Sequence, residues 1–274
     1  MIIDKLYLLG LARINFTGGE PLIRKEIGEW IDYAKTKNIK VAMNSNGHFV
    51  PDCIDRIKNL ELLNLSLEGP ECIHDTIRQK GSYQKVIEAA EIAQSKGIRV
   101  RFAATFNSHN LLYIEDLVKI AHRYNSIVTF QPMEGYQLGS KLKNPLVPEN
   151  GYFRLGVNKA IEYKRIPKYK NNIGNSLEGL NYFLNYPKVA HLECAFGRIA
   201  FRIEPDGMMC PCALLCSKSL SIDLRKTAIE EIRQKFNNIF LPNKKCSCGF
   251  CCNRIELNLV WNLKLQSLFE TSRL

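Results

Sequence analysis

Residues 13–21 read Arg13-Ile14-Asn15-Phe16-Thr17-Gly18-Gly19-Glu20-Pro21. The first five residues, Arg13–Thr17, are a strand candidate, and the rest form a turn. Two glycines let the backbone approach a ligand closely and take conformations closed to other residues. Glu20 then sets a carboxylate beside exposed main-chain groups, an arrangement suited to gripping an ammonium. Pro21 fits the first turn of a following helix. Ile23, Ile27, Trp30, Ile31 and Ala34 supply that helix with one apolar stripe.

Working outward, the same strand–turn–helix unit recurs. Lys40–Asn44, Leu62–Leu67, Arg99–Phe106 and Ile127–Gln131 are further strand candidates. Three of the five strands show little internal alternation, which suits strands buried on both faces of a parallel sheet. Val86, Ile87, Ala90 and Ala93 make a second helical stripe, closed by Gly97, and Ile114, Leu117, Val118 and Ala121 make a third. This repetition predicts an α/β fold with a parallel sheet, either doubly wound or a partial barrel. Either form binds ligands beyond the carboxyl ends of its strands. The rim segments are then Gly18-Gly19-Glu20-Pro21, Ser45-Asn46-Gly47, Glu68-Gly69-Pro70, Asn107-Ser108 and Pro132-Met133-Glu134.

Residues 141–193 read as helix and irregular connection, punctuated by Pro145, Pro148, Pro167 and Pro187. Another texture begins at Cys194. Arg198–Glu204 and Met208–Leu214 read as a hairpin around Pro205-Asp206-Gly207. A helix over about Thr227–Phe236, a cysteine-rich run and an apolar helical tail follow. Three segments result: 1–140, 141–193 and 194–274.

The chain has 274 residues, 38 Lys and Arg against 27 Asp and Glu, and ten cysteines. No apolar run reaches membrane-spanning length and no signal peptide is recognisable, so the expectation is a cytoplasmic protein without a membrane partner. The basic residues are densest over Lys141–Lys170, but their spacing fits no nucleic-acid motif, which disfavours such a partner. Two cysteines, Cys53 and Cys72, precede residue 194 and read as buried small apolar residues. The other eight lie between Cys194 and Cys252, a crowding that favours metal over disulfides. Cys210 and Cys212 sit two apart on one strand and face the same way, so either suits a ligand by geometry. A four-cysteine zinc site is the competing reading.

The Gly18-Gly19-Glu20-Pro21 segment closely resembles the GGEP motif of radical S-adenosylmethionine (SAM) enzymes. The resemblance continues in order through Asn44-Ser45-Asn46-Gly47, then Leu65-Ser66-Leu67-Glu68-Gly69-Pro70. His74-Asp75, Arg78, Gly81-Ser82-Tyr83 and Asn107 extend it over roughly residues 1–135. It implies a (β/α) partial barrel in which Gly18, Gly19 and Glu20 meet the methionine end of SAM. Glu20 would accept from the amino group, Ser45 would bond near the carboxylate and Ser66 near the ribose. Asn107 is a weaker transfer, and Arg78 divides evenly between that role and a surface or helix-capping one.

The C-terminal cysteines resemble the auxiliary-cluster domains called SPASM and twitch. Twelve residues separate Cys194 from Gly207 and four more precede Cys212. With the later Cys248 and Cys251, this implies one auxiliary [4Fe–4S] cluster held by Cys194, Cys212, Cys248 and Cys251. Cys246 or Cys252 remains an alternative ligand, and Cys216 is unassigned. The family's own CxxxCxxC loop, which holds the reductive cluster, has no counterpart before Thr17. Ile2–Gly10 resembles the last turns of the helix after that loop, and Ile2, Ile3, Leu6, Leu8 and Leu9 need an apolar partner that the chain is expected to supply only in part. The expectation is a chain begun too late, or a gene broken by a frameshift, that does not cleave SAM as it stands. Its full-length form would take the second [4Fe–4S] cluster, a small-molecule or peptide substrate, and an electron donor such as flavodoxin or ferredoxin. A non-catalytic binding module with a structural iron–sulfur or zinc site is the alternative.

Overall fold

A computed structural model describes residues 2–133, 135, 142–185, 194–212, 221–239 and 252–261. The chain opens with helix α1 (Ile2–Leu8) and strand β1 (Arg13–Phe16), followed by α2 (Ile27–Thr36), β2 (Lys40–Ser45), the short α3 (Val50–Cys53) and β3 (Leu62–Ser66). Then come α4 (Glu71–Ile77), α5 (Ser82–Ser95), β4 (Arg99–Phe106), α6 (Ile114–Arg123) and β5 (Ile127–Pro132). Helices α7 (Asn150–Arg165) and α8 (Leu177–Phe183) follow. Beyond residue 194 are β6 (Arg202–Ile203), β7 (Met208–Cys210), β8 (Ile222–Asp223), α9 (Ile229–Ile239) and α10 (Cys252–Trp261).

The five strands β1–β5 pair parallel in sequence order. That order has no reversal, so the sheet winds in one direction as a partial barrel and is not doubly wound. Each strand lies within two residues of its predicted bounds. Val41, Met43, Leu63, Leu65, Phe102, Phe106, Val128 and Phe130 turn one face of the sheet toward Ile27, Ile31 and Ala34 of α2, Val86 and Ala90 of α5, and Leu117 and Val118 of α6. Burying these side chains supplies the main driving force, at about 25 cal/mol per Å² of apolar surface.

One detail departs from the sequence reading. Pro21 opens a single 3₁₀ turn, Pro21–Ile23, and α2 begins only at Ile27. Ile23 is therefore outside the helix and exposed, and Trp30 is partly exposed at the stripe's margin. Burial on both faces, expected for three strands, holds in β2 over residues 41–43, in β3 over 62–65 and in β5 over 128–130, whereas β4 alternates. In β4, Val100, Phe102, Ala104 and Phe106 are buried, whereas Arg99, Arg101, Ala103 and Thr105 keep partial or full exposure. The second face of the sheet is thus the more open one along β4, while Ala42, Leu62, Asn64 and Thr129 on its other strands are buried.

The predicted hairpin forms around Gly207 (φ +81°), but it is shorter than expected and gains a third strand, β8. Residues 213 and 214 lie outside the described residues. The helix expected from about Thr227 starts at Ile229 and runs to Ile239. Helix α1 finds the apolar partner it needs on this small sheet. Leu6 packs with Met209, Ile222, Leu224 and Ile232, with Ile2 and Leu9 alongside, while Leu8 is exposed. Lys5 Nζ donates to the carbonyls of Leu224 (2.7 Å) and Thr227 (2.8 Å), and Arg233 donates to that of Leu8 (3.1 Å). On its other side Asp4 meets Tyr33 (2.5 Å) and Lys37 (2.9 Å) of α2, and these partners hold its carboxyl well below the usual carboxylate range. No described helix is long and apolar enough to cross a membrane.

Candidate SAM-binding rim and cysteine site

The carboxyl ends of β1 and β2 are joined by Glu20. Its Oε1 accepts from the Ser45 hydroxyl (3.0 Å) and the Leu22 amide (3.3 Å), and its Oε2 accepts from the Asn46 amide (2.9 Å). Ser45 Oγ in turn accepts from the Gly47 amide (3.0 Å). Gly18 takes φ +131°, which favours glycine, and a Cβ at Gly18 or Gly19 would meet no atom within 4 Å. The segment before Glu20 is therefore bare backbone facing open space, as close approach of a ligand requires. Gly47 (φ +85°) is needed for another reason: a Cβ there would lie 3.1 Å from Val86 Cα.

Ser66 ends β3, one strand beyond Ser45, which is in register with Leu65. Asn107 is fully buried and set apart from Glu20. Its Oδ1 accepts from the His109 amide (3.0 Å) and its Nδ2 donates to the Thr105 carbonyl (2.9 Å).

Three residues near Asn107 form a lock, with Glu68 and His74 buried and Arg78 exposed. Glu68 accepts from Arg78 (2.5 Å) and from the Thr105 amide (3.1 Å), and its carbonyl accepts from Asn110 (2.9 Å). Its own amide donates to His74 Nδ1 (3.0 Å), so His74 serves as an acceptor there and is neutral. Burial, helped by the charge of Arg78, pushes the His74 pKa down to about 4. Arg78 is thus an exposed surface residue, one of the two roles considered from sequence, and it also pairs with Glu68. Asp75 accepts from the amides of Gly81 (2.5 Å) and Tyr83 (2.8 Å) and so anchors the start of α5. Burial raises its pKa, but these hydrogen bonds outweigh burial and hold it below the usual range.

In the C-terminal part, Cys212 carries a buried free thiol, Cys194 is half-buried, and Cys210 is disulfide-bonded. Of the two cysteines at the hairpin, Cys212 is therefore the available thiol. Cys248, Cys251, Cys246 and Cys216 lie outside the described residues. Among the described residues, no three Cys, His, Asp or Glu side chains converge as a metal site. Cys53 is buried as expected, with its Sγ 2.7 Å from Arg56. Cys72 is exposed, contrary to expectation, because α4 turns His74 inward and leaves Cys72 on the outer side.

The open face of the sheet carries a feature that sequence reasoning missed. Arg101 Nε donates to Asn64 Oδ1 (2.7 Å), Asn64 Nδ2 to Asn44 Oδ1 (2.8 Å), and Asn44 Nδ2 to Thr17 Oγ1 (3.3 Å). This ladder crosses four strands and ends beside Gly18. The alternation Arg99-Val100-Arg101-Phe102 was its visible signal.

Residues 1–121 match the family model of the Radical SAM superfamily. Mycofactocin maturase MftC of Mycobacterium ulcerans is 25% identical over 152 residues, covering 54% of this chain and 41% of that protein. The Bacillus subtilis subtilosin biosynthesis protein AlbA is 22% identical over 218 residues, covering 77% and 46%. The chain thus spans less than half the length of these relatives. Among solved structures, anSMEcpe with bound AdoMet gives a TM-score of 0.68 at 15% identity, over 100% of this chain and 89% of that one. Streptococcus suis SuiB gives 0.69 at 15% identity, over 95% and 66%. The fold is that of the radical SAM partial barrel.

Proposed function

We propose that this chain carries the SAM-binding rim and an auxiliary-cluster domain of a radical SAM enzyme that modifies a peptide. The observation that carries the reading is the Glu20–Ser45–Asn46 junction beside the bare Gly18-Gly19 backbone. Glu20 and Ser45 would hold the amino-acid end of SAM, and Ser66 would meet its ribose. Asn107 would support the rim from beneath. When bound, SAM and a reductive [4Fe–4S] cluster supply a 5′-deoxyadenosyl radical for hydrogen abstraction. The 274 residues contain no CxxxCxxC, and the reading assigns them the binding of SAM and not its reductive cleavage.

Cys194 and Cys212, with Cys248 and Cys251, would hold one auxiliary [4Fe–4S] cluster, thiolates being its usual ligands. The radical SAM-like domain that precedes these cysteines favours iron–sulfur over zinc. A peptide substrate is favoured by the maturase and bacteriocin-biosynthesis relatives and by the solved complex of SuiB with the precursor peptide SuiA. The reading places the enzyme in the cytoplasm, with a flavodoxin or ferredoxin as electron donor.

The test is anaerobic purification of the chain from Met1. The protein should contain iron and sulfide, bind SAM, and release no 5′-deoxyadenosine under dithionite. Zinc without sulfide would overturn the cluster assignment, and release of 5′-deoxyadenosine would overturn the division of labour.

A further inference from the structure

Helix α10 is rooted in the barrel. Ile255 and Leu259 pack in the same core as Phe130, Leu180 and Phe183. Between them Glu256 is buried, and its Oε1 accepts from the Ser176 amide (2.9 Å). Ser176 Oγ accepts from the Gly179 amide (2.8 Å) and so caps α8. Asn175, the residue before, is tied to β5: its Oδ1 accepts from the Phe130 amide (2.7 Å) and its Nδ2 donates to the Phe130 carbonyl (2.9 Å). Further along α10, Asn258 is also buried, and its Oδ1 accepts from the Ala195 amide (2.8 Å). Ala195 directly follows Cys194 and is fully buried, and its carbonyl accepts from the amides of Arg198 (3.1 Å) and Ile199 (3.0 Å). Helix α10 opens at Cys252, and in the sequence Cys246-Ser247-Cys248-Gly249-Phe250-Cys251 leads into it. At about 1.5 Å per residue, Asn258 stands about 9 Å along the helix from that opening.

We propose that Asn258 is a positioning residue for Cys194. From a helix rooted in the barrel it fixes the peptide bond between Cys194 and Ala195, and so holds Cys194 close to the cysteines that lead into that helix. The inference rests on the reading of these cysteines as one metal-binding set and deepens it. Ligands must be kept within about 0.5 Å of their working geometry by the contacts behind them. Cys194 and the later cysteines lie far apart in sequence, so bringing them together costs chain entropy that contacts other than the metal help to offset. Asn258 supplies such a contact through the backbone and takes no part in ligation itself. Removing its acceptor would free the Cys194 peptide and leave a buried N–H without a partner. Contacts of this kind, one step behind the ligands, are worth about 10–100-fold in metal affinity.

The experiment compares the anaerobically reconstituted full chain with Asn258→Leu, which has no acceptor, and Asn258→Asp, which keeps one. Iron retention is read by competition with the chelator ferrozine and by the visible absorption of the cluster. Asn258→Leu should give up its iron at about tenfold lower chelator concentration than the wild-type chain, and Asn258→Asp should stay close to wild type. Circular dichroism of the same samples should show equal helix content. If the leucine variant does not fold, Asn258→Ala takes its place with the same expectation. Equal iron retention in the wild-type chain and the variant without an acceptor, or an equal loss in Asn258→Asp, would overturn the proposal. A wild-type chain that takes up zinc without sulfide sinks the iron–sulfur reading alone. Competition for zinc then decides this inference, which stands if Asn258→Leu loses zinc first and falls if it does not. A wild-type chain that retains neither metal overturns both.

Discussion

At the scale of single residues, the Glu68–His74–Arg78 lock makes stability depend on pH. The folded His74 pKa of about 4 lies below its unfolded value of 6.5. Between those values the unfolded chain binds the extra proton, so stability is complete above about pH 6.5 and falls as pH drops toward 4. The loss attached to this one group approaches about 3 kcal/mol. Melting curves across that window should show it, and His74→Asn, which keeps an acceptor for the Glu68 amide, should flatten it. A wild-type curve with no pH dependence there would contradict a neutral buried His74. The residues of the lock were legible in sequence as motif members, but their pairing was not. Nothing in the order of Glu68, His74 and Arg78 shows that a helical turn brings the last two back onto the first. The Asn44–Asn64–Arg101 ladder was hidden for a similar reason, since its members are 20 and 37 residues apart and meet only through strand register.

At the scale of elements, the strands were read well because each is a short apolar run between clear turns. Ala42 and Leu62 lie on the second face and are buried there too, so the unbroken apolar runs of β2 and β3 are read correctly as buried on both sides. The start of α2 was misplaced because Ile23 continues the helical spacing, although Glu20 caps only a 3₁₀ turn there. The turn after β2 shows how tightly an element end can be set. Gly47→Ala should cost about 1–3 kcal/mol, from left-handed backbone strain and crowding against α5. Because this turn carries Ser45 and Asn46, the substitution should also weaken SAM binding. Thermal melts and a SAM titration on one sample would check both effects, and a neutral substitution would contradict the close packing of the turn on Val86.

At the scale of the whole molecule, α1 joins the barrel to the small sheet, through Asp4 on one side and Lys5 and Leu6 on the other. An apolar N-terminal helix was visible in the sequence, but its partner more than 200 residues away was not. If the cysteine domain is built around a cluster, Cys194→Ala should lower its unfolding transition far more than Cys53→Ala lowers that of the barrel. Limited proteolysis across a temperature series would separate the two transitions, and equal effects would contradict a cluster at Cys194. The account as a whole stands on the rim at Glu20. The direct measurement is calorimetric titration of SAM into the reconstituted chain and into Glu20→Ala. The wild-type chain should bind SAM, and the variant should lose about 1.5–3 kcal/mol, the worth of hydrogen bonds to a charged group. No SAM binding by the wild-type chain, or equal affinity in the two proteins, would contradict the account.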